Sequence, residues 1–408
     1  MADNNPNEGL LSNEDSDTKK KGPDEIIPFL LLLVTSSGMC VSGIGWALYV
    51  YSIKSFVYGF ILLLILSATY YFNHLIIVRS CFEVKKFSFS KLILHHWGRK
   101  RGLTVQIAMA IHCLITITYL QQRISVNAFK VFHSAVESYP SYTDTFYYIA
   151  IANIFLILLA LQNKYEKIRW FAIIGILVWV YLFIGVFTEA SASDISFFSS
   201  AGELFPPPGI WMLTSIGLVA YFMSSFQIIP YLAEHVKCEA TMKRIVLKSS
   251  IGSLIIISTV ILYFAFKTNP DLNFIRYSGF VIIGCCVTII NILPTRDLIV
   301  QIFEEKAKDK QNTRDRFITL FVFSLTLILS IFMNEINTWM AFVGIGSILT
   351  ALLGFIFPGV LFFQIAKQGE EKYKYLALVW NIILGLTIFV AGVFMMIVEK
   401  NPEVVQQQ

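Results

Sequence analysis

Long apolar segments separated by short polar connections recur along the chain, and this pattern constrains the fold more than any other feature of the sequence. A helix needs about 20 apolar residues to cross the hydrocarbon of a bilayer. Runs of this length begin near Ile26 and recur to about Val398. Charged residues make up only 14% of the chain, against about a quarter of an ordinary soluble domain. The sequence therefore predicts an all-α integral membrane protein with no soluble domain between its spans.

Charged residues, Pro and Gly divide this apolar sequence into eleven predicted transmembrane helices, numbered here as spans 1 to 11. The spans are 26–53, 56–79, 102–123, 146–162, 169–188, 209–235, 245–266, 276–300, 317–334, 338–365 and 375–398. Residues 1–25 are polar and are predicted to form a disordered tail. Residues 26–398 then make one transmembrane domain, and residues 399–408 make a short second tail.

The distribution of Lys and Arg predicts which side of the membrane each connection faces, because basic residues are retained in the cytosol. With the N-terminus in the cytosol, all but six of the 32 Lys and Arg fall on the cytosolic side, with dense clusters at 85–101, 237–248 and 306–316. An odd number of spans places the C-terminus on the other side. Clusters beside spans are typical of membrane retention signals, so no nucleic-acid partner is predicted.

The cysteines and ionisable residues give no pattern typical of a disulfide framework, a metal site or an enzyme. Four cysteines fall inside predicted spans: Cys40, Cys113, Cys285 and Cys286. The other two, Cys81 and Cys238, fall in predicted cytosolic connections. No intramembrane cluster of His, Asp and Glu offers acid–base chemistry or metal ligands. We therefore predict no metal, no cofactor and no enzymatic activity.

Spans 1 and 6 carry unusual numbers of small residues at their centres. In span 1 these are Ser36, Ser37, Gly38, Ser42, Gly43 and Gly45. In span 6, Ser224 and Ser225 are followed by Pro230, which removes a backbone donor. Such residues either let a neighbouring helix pack closely or let the helix unwind. We favour unwinding, because interrupted helices at matching positions of two inverted halves are typical of the binding site of a secondary transporter.

The chemistry of such a site suits a small zwitterion. Half-helix N-termini hold a carboxylate, and the freed carbonyls at the opposite ends accept from an ammonium group or coordinate a cation. The central parts of spans 1 and 6 contain no Asp, Glu, Lys or Arg. A cationic side chain would need a carboxylate nearby, so the pattern predicts neutral substrates.

Five short motifs in order along the chain resemble the amino acid/auxin permease family of eukaryotic membranes. They are "SGI" in span 1, "SATYYFNHLIIVRSC" ending span 2, "IIPYLAEH" ending span 6, "NILPTRD" ending span 8 and "LLGFIFP" in span 10. That family includes neutral amino acid transporters and vacuolar or lysosomal amino acid exporters. The chain departs from its usual first span at Trp46 and Ala47, where the family has Gly and Leu.

The resemblance implies eleven spans, a cytosolic N-terminus and the inverted five-plus-five helix repeat of the amino acid–polyamine–organocation fold, with span 11 as one extra C-terminal helix. It also implies residence in a plasma, vacuolar or lysosomal membrane. Relatives that use sodium are similar to one another in an Asn on span 1 and a Thr on span 8. Here those positions fall on Ser37, and on Cys285 or Val287, with Thr288 one residue away.

Candidate site residues follow from these patterns. The predicted substrate-binding residues are Ser37, Gly38, Ser42, Gly43 and Ile44 on span 1, Tyr221, Ser224 and Ser225 on span 6, and Tyr119 on span 3. The candidates for the coupling ion are Thr288 and Cys285 for sodium and His112 for a proton. His112 and Tyr119 also fit a purely structural role, His112 as a neutral, hydrogen-bonded histidine and Tyr119 as a core aromatic.

The leading functional hypothesis is a secondary active transporter that moves small neutral amino acids by alternating access, proton-coupled or uncoupled rather than sodium-coupled. Its binding site lies between spans 1 and 6, walled by spans 3 and 8. The alternative is an amino acid sensor, a transporter-like receptor that signals through its cytosolic face with residues 1–25 as a docking segment. The predicted partners are the substrate and the lipid bilayer. The oligomeric state is open.

Overall fold

The structure is a computed structural model in which the described residues are 23–50, 56–133, 141–161, 165–192, 210–265, 273–303, 311–333, 336–366 and 369–398. The regular structure in these residues is entirely helical. In α1 the side chains are described from Glu25 to Gly38. Most of the predicted N-terminal tail and all of residues 399–408 lie outside the described part.

The first half of the chain holds five long helices, the third of which bends at Gly98, and a sixth that stops inside its predicted span. The helices are α1 (Pro23–Val50), α2 (Phe56–Val84), α3 (Phe89–Phe132), α4 (Tyr142–Ala160), α5 (Tyr165–Ala192) and α6 (Ile210–Phe222). A 3-10 turn (Phe226–Ile228) follows and leads directly into α7 (Ile229–Val236).

The second half repeats long helices with one further irregular segment. These helices are α8 (Glu239–Ala265), α9 (Asn273–Phe303), α10 (Gln311–Phe332), α11 (Ile336–Thr350), α12 (Phe357–Ile365) and α13 (Glu371–Val398). A π-helical turn (Ala351–Ile356) joins α11 to α12.

A helix lies at each of the eleven positions predicted for a span. Within the described part of the chain, nine helical segments are long and apolar enough to cross a membrane: α2, α3, α4, α5, α6 with α7, α9, α10, α11 with α12, and α13. The chain is therefore an integral, multi-pass membrane protein. The remaining two positions, spans 1 and 7, are occupied by α1 and α8, and the total of eleven crossings stays a prediction.

Burial separates an inner group of helices from an outer one. In the segment formed by α6 and α7, 83% of the most apolar stretch is buried, whereas in α4 and α13 only 28% is. The outer helices expose large apolar side chains such as Leu158 and Leu177. Lipid tails are the solvent that accommodates such a surface. The interrupted segment therefore lies at the centre of the bundle.

The predicted unwinding of span 1 is wrong, since α1 is helical from Pro23 to Val50. The hydroxyl groups of Ser36 and Ser37 donate to the carbonyls of Leu32 and Leu33 one turn back, at 2.8 and 2.6 Å. Small hydroxyl residues commonly bond within a membrane helix in this way. The competing interpretation, close packing, accounts for this segment.

The predicted interruption of span 6 is confirmed. Pro230 has no N–H, so it cannot donate to the carbonyl of Phe226 four residues back. The N–H of Ile229 binds that carbonyl instead, in the tighter pattern of a 3-10 turn. Before it, Ser225 has φ −136° and ψ 13°, outside helical values. The chain therefore leaves the helix at Met223, Ser224 and Ser225.

A second proline explains the π-helical turn in span 10, which the sequence did not predict. Pro358 cannot donate to the carbonyl of Gly354, and the side-chain amide of Asn73 on α2 donates to it at 2.8 Å instead. The same amide group donates to Asn381 Oδ1 on α13, also at 2.8 Å. Asn73 thus joins three helical segments at the point where one of them is irregular.

Two boundaries differ from the sequence prediction. Helix α3 begins at Phe89 rather than near residue 102, because a bend at Gly98 joins a short preceding helical segment to the span. Cys81, predicted in a connection, is buried near the end of α2.

Candidate functional site

His112 of α3 faces the interruption between α6 and α7. Its Nε2 lies 3.0 Å from Thr350 Oγ1, at the last residue of α11, and 3.5 Å from Ser224 Oγ. All three side chains are fully buried. The other imidazole nitrogen, Nδ1, has no hydrogen-bond partner among the described atoms. Three helical segments therefore share one buried polar centre that retains a free hydrogen-bonding position.

Aromatic rings enclose this polar centre. Tyr221 meets the imidazole of His112 edge-on at 5.8 Å between ring centroids, and Phe226 lies 5.1 Å from it. Tyr119, two turns along α3 from His112, lies 6.2 Å from Tyr221 and 5.0 Å from Phe222. These rings exclude water from His112 and Ser224, which strengthens the polar contacts between them.

Ser225, the last residue of the interruption, is also fully buried, and its hydroxyl has no hydrogen-bond partner among the described atoms. An unsatisfied buried hydroxyl costs about 1–3 kcal/mol. A polar ligand that hydrogen-bonds to this hydroxyl would remove that cost.

Glycines let the neighbouring helices approach these rings. A Cβ atom placed on Gly346 of α11 would lie 2.6 Å from the ring of Tyr221, and one on Gly354 would lie 3.2 Å from the ring of Phe226. Real Cβ contacts are almost never below 3 Å, so at Gly346 the absence of a side chain is a condition for the position of Tyr221. The site is bounded by α11 as closely as by α3.

One fixed positive charge lies a turn beyond the aromatic shell. The guanidinium carbon of Arg123 is 5.6 Å from the ring centroid of Tyr119 and 5.1 Å from that of Trp339 on α11. The residue is only 5% exposed. Cation–π contacts of this kind bind the two helices together over the end of the site that the sequence assigns to the non-cytosolic side.

The residues predicted on span 1 have other contacts. Ser37 is fully buried and bonds within α1, as described above. Gly38 packs against the side chains of Val287 and Ile283 on α9. Ser42, Gly43 and Ile44 lie on the helical backbone of α1, and their side chains are outside the described part.

The residues predicted to hold a sodium ion on span 8 turn away from α1. Thr288 is buried, and its hydroxyl donates to the carbonyl of Gly284 at 2.8 Å. Gly284 packs against Ile124 of α3, whereas Val287 packs against Gly38 of α1. Cys285 is half-buried. The side chain that meets α1 at this level of α9 is therefore apolar.

The structure thus brings together His112, Tyr119, Tyr221 and Ser224 from the predicted set, with Ser225 adjacent in the chain. Thr350 and the close approach of Gly346 were missed. Thr350 is 238 residues from His112 and belongs to no motif, so no sequence signal marks it. A separate cleft of about 340 Å³ between α4, α5 and α9 is lined by apolar side chains, including Trp170 and Ile292. It contains none of the predicted site residues.

The described residues of the site can therefore offer a ligand hydroxyl groups, one imidazole and aromatic walls, and none of them is a carboxylate. Within the described part of the chain, no group of three or more His, Cys, Asp or Glu is arranged to hold a metal ion. The arrangement suits hydrogen bonding to a small polar molecule better than coordination of a divalent cation.

Comparison with known proteins identifies a similar fold but no family. No protein-family model matches the chain, and no curated protein matches it. The chain is similar to two solved structures of a manganese transporter from Eremococcus coleocola. One is a mutant form, and the other is a complex with an aromatic bis-isothiourea substituted compound. Each has 12% sequence identity and a TM-score of 0.56, and the alignment covers 92% of this chain and 95% of the other.

The chain has the fold of a membrane transporter. At 12% identity this likeness concerns the fold alone. It spans nearly the full length of both chains.

Proposed function

We propose that the protein is a secondary active transporter that moves small neutral amino acids across a membrane by alternating access. The observation that carries this proposal is the interruption at Met223–Ser225, in the most buried segment of the bundle. There, buried Ser224 meets His112, whose imidazole also contacts Thr350. Irregular backbone at membrane depth is tolerated where it is enclosed by protein or lines a cavity, and transporters place their substrates there.

The chemistry of the site supports a neutral amino acid. Hydroxyl groups and the free Nδ1 of His112 suit the carboxylate and ammonium groups of a zwitterion, while Tyr221 and Phe226 limit the size of its side chain. The manganese named for the similar structures is a property of those proteins. A Mn²⁺ ion prefers carboxylate, carbonyl and water ligands, and the centre described here has one imidazole and no carboxylate.

We further propose the eleven-span, inverted five-plus-five arrangement, with the N-terminus in the cytosol. It is supported by a helix at every predicted position and by the fold shared with a transporter. The proposed coupling is to protons, through His112, or to none. The apolar contact of Val287 with α1 argues against a sodium ion between α1 and α9.

Protection of a cysteine introduced at the site tests this proposal without measuring transport. In a variant carrying Cys238→Ser, to remove the exposed native thiol, Ser225→Cys is labelled with a small methanethiosulfonate reagent. Alanine or glutamine should slow the labelling, and arginine or Mn²⁺ should not. A matched variant with cysteine at exposed Lys100 controls for general effects of the solutes.

Equal labelling rates with and without every neutral amino acid, in protein that remains folded, contradict the proposed site. Protection by Mn²⁺ alone assigns the interruption to a metal ion and overturns the proposed substrate.

A further inference from the structure

The first nine residues of α3 form a separate segment that folds back on the rest of the helix. Gly98 has φ 71° and ψ 177°. A Cβ atom there would meet nothing within 4 Å, so this position requires glycine for the backbone conformation of the bend and not for close packing. Beyond the bend, Gln106 Nε2 lies 3.4 Å from the carbonyl of Ser90. In a straight helix those residues would be about 24 Å apart. We call Phe89–Trp97 the interfacial segment.

The inner face of the interfacial segment is fixed to the bundle near the candidate site. Phe89 lies 6.0 Å from Phe226 and 5.2 Å from Phe357 between ring centroids, and Trp97 lies 4.7 Å from Phe357. At its start, Ser88 Oγ donates to Gln301 Oε1 on α9 at 2.6 Å. The inner face therefore contacts α9, α12 and the 3-10 turn.

The outer face and the two ends of the segment carry an exposed positive charge cluster. Its members, which we call the basic collar, are Lys85, Lys86, Lys91, Arg99, Lys100 and Arg101, and all six are exposed. Glu83 is the single acidic residue in the sequence between positions 80 and 136. The collar is thus a local excess of cations at one end of α2 and α3, where the distribution of Lys and Arg predicts the cytosolic membrane face.

An apolar side chain lies exposed among these charges. Leu94 packs on one side against Gly102, yet 36% of it remains exposed on the outer face, next to exposed His95. A retention signal requires charge alone. Cations combined with an outward apolar side chain on a short helix are typical of a segment that lies in the headgroup region of a bilayer.

We propose that the basic collar binds the headgroups of anionic phospholipids in the cytosolic leaflet. Six exposed cations, in a stretch of sequence whose single acidic residue is Glu83, match the negative surface of that leaflet. The rigid attachment of the inner face keeps the cations directed outward, and Leu94 enters the edge of the acyl region. Phe89, on the inner face of the interfacial segment, contacts Phe226, and Phe226 in turn contacts His112. Two ring contacts therefore connect the proposed lipid-binding segment with the candidate site.

The test is a lipid titration of the purified full chain in detergent, independent of any transported solute. Dioctanoyl phosphatidylserine, dioctanoyl phosphatidylcholine and inorganic phosphate are compared by the shift that each produces in the thermal unfolding midpoint, at low and high salt. Two variants remove charge from the collar: Lys86→Gln with Lys100→Gln, and the same pair with Lys91→Gln and Arg101→Gln. A matched control removes four cations elsewhere on the predicted cytosolic face: Lys237, Lys243, Arg244 and Lys248, each replaced by Gln.

We expect a salt-sensitive shift with phosphatidylserine only. The fourfold collar variant should need about tenfold or more lipid for the same shift, because each cation contributes to the attraction. The double variant should need an intermediate amount, and the control variant should match the unmodified protein.

Equal shifts with both lipids, an unchanged titration in both collar variants, or an equal loss in the control overturns the proposal. A shift with phosphate that equals the shift with phosphatidylserine assigns the collar to small anions and overturns lipid binding. If the fourfold variant does not fold, the double variant and the salt dependence decide the result.

Discussion

The imidazole Nε2 of His112 lies 3.0 Å from the hydroxyl of Thr350, joining α3 to the end of α11 beside the interrupted helix. This contact bridges helices from the two halves of the chain, immediately before the π-helical turn that begins at Ala351. A rearrangement of α11 must therefore either break this hydrogen bond or move His112 together with Thr350. That coupling makes His112 the candidate for a group that links proton binding to movement.

If His112 carries the coupled proton, His112→Gln should abolish uptake driven by an imposed pH gradient. Exchange of labelled for unlabelled substrate at equal pH should remain, because glutamine keeps a hydrogen-bonding side chain but cannot be protonated. Thr350→Val is the control, since it retains the imidazole. Undiminished pH-driven uptake by the glutamine variant would exclude His112 as the carrier and leave it a structural role.

Replacing sodium with choline at fixed pH should leave uptake unchanged. The reason is the orientation of α9, where Thr288 bonds to its own helix and Val287 meets α1. Thr288→Val should likewise have no effect on the sodium response. Flux that collapses in choline and ignores a pH gradient would reinstate Thr288 as an ion ligand.

The close contact between Gly346 and Tyr221 predicts a graded loss of stability. Gly346→Ala places a methyl group 2.6 Å from the tyrosine ring and should cost about 1–3 kcal/mol of folding free energy. Gly354→Ala, with its nearest ring atom at 3.2 Å, should cost less. Thermal unfolding in detergent measures both. Equal midpoints for the two variants would show that Tyr221 moves aside freely.

Span 1 and span 6 show how far the sequence specifies this fold. Apolar length located the helices, and Pro230 specified the interruption of span 6 through a missing N–H. Span 1 is equally rich in small residues, but its only proline, Pro28, lies near the start of α1. Its serines could bond within the helix, so composition alone did not distinguish unwinding from packing. The pairing of His112 with Thr350 depends on tertiary packing between residues far apart in the chain, which no local pattern encodes.

Cys238 offers a direct test of the predicted orientation. It is exposed between α7 and α8, and hydrogen bonds from the backbone N–H and the side chain of Thr241 hold the pKa of its thiol below the usual range. A lowered pKa increases the thiolate fraction at neutral pH, so labelling should be faster than for a free thiol and should level off at lower pH.

Because the distribution of Lys and Arg predicts that Cys238 lies on the cytosolic side, a membrane-impermeant maleimide should label it from that side only. Thr241→Val should slow the reaction at neutral pH, because it removes one of the stabilising hydrogen bonds. Cys238→Ser is the control for labelling at other cysteines. Labelling from the opposite side alone would reverse the predicted topology.

The most direct test of the central claim is counterflow in proteoliposomes that contain the purified chain. Liposomes loaded with unlabelled alanine, glutamine, arginine or Mn²⁺ are diluted into the same labelled solute, and its accumulation is followed for the unmodified protein and for Ser224→Ala with Ser225→Ala. We predict transient, saturable accumulation of alanine or glutamine, with a raised KM in the double variant. Counterflow of arginine or Mn²⁺ without any neutral amino acid would contradict the account, and site protection at residue 225 without counterflow of any solute would identify a receptor instead of a transporter.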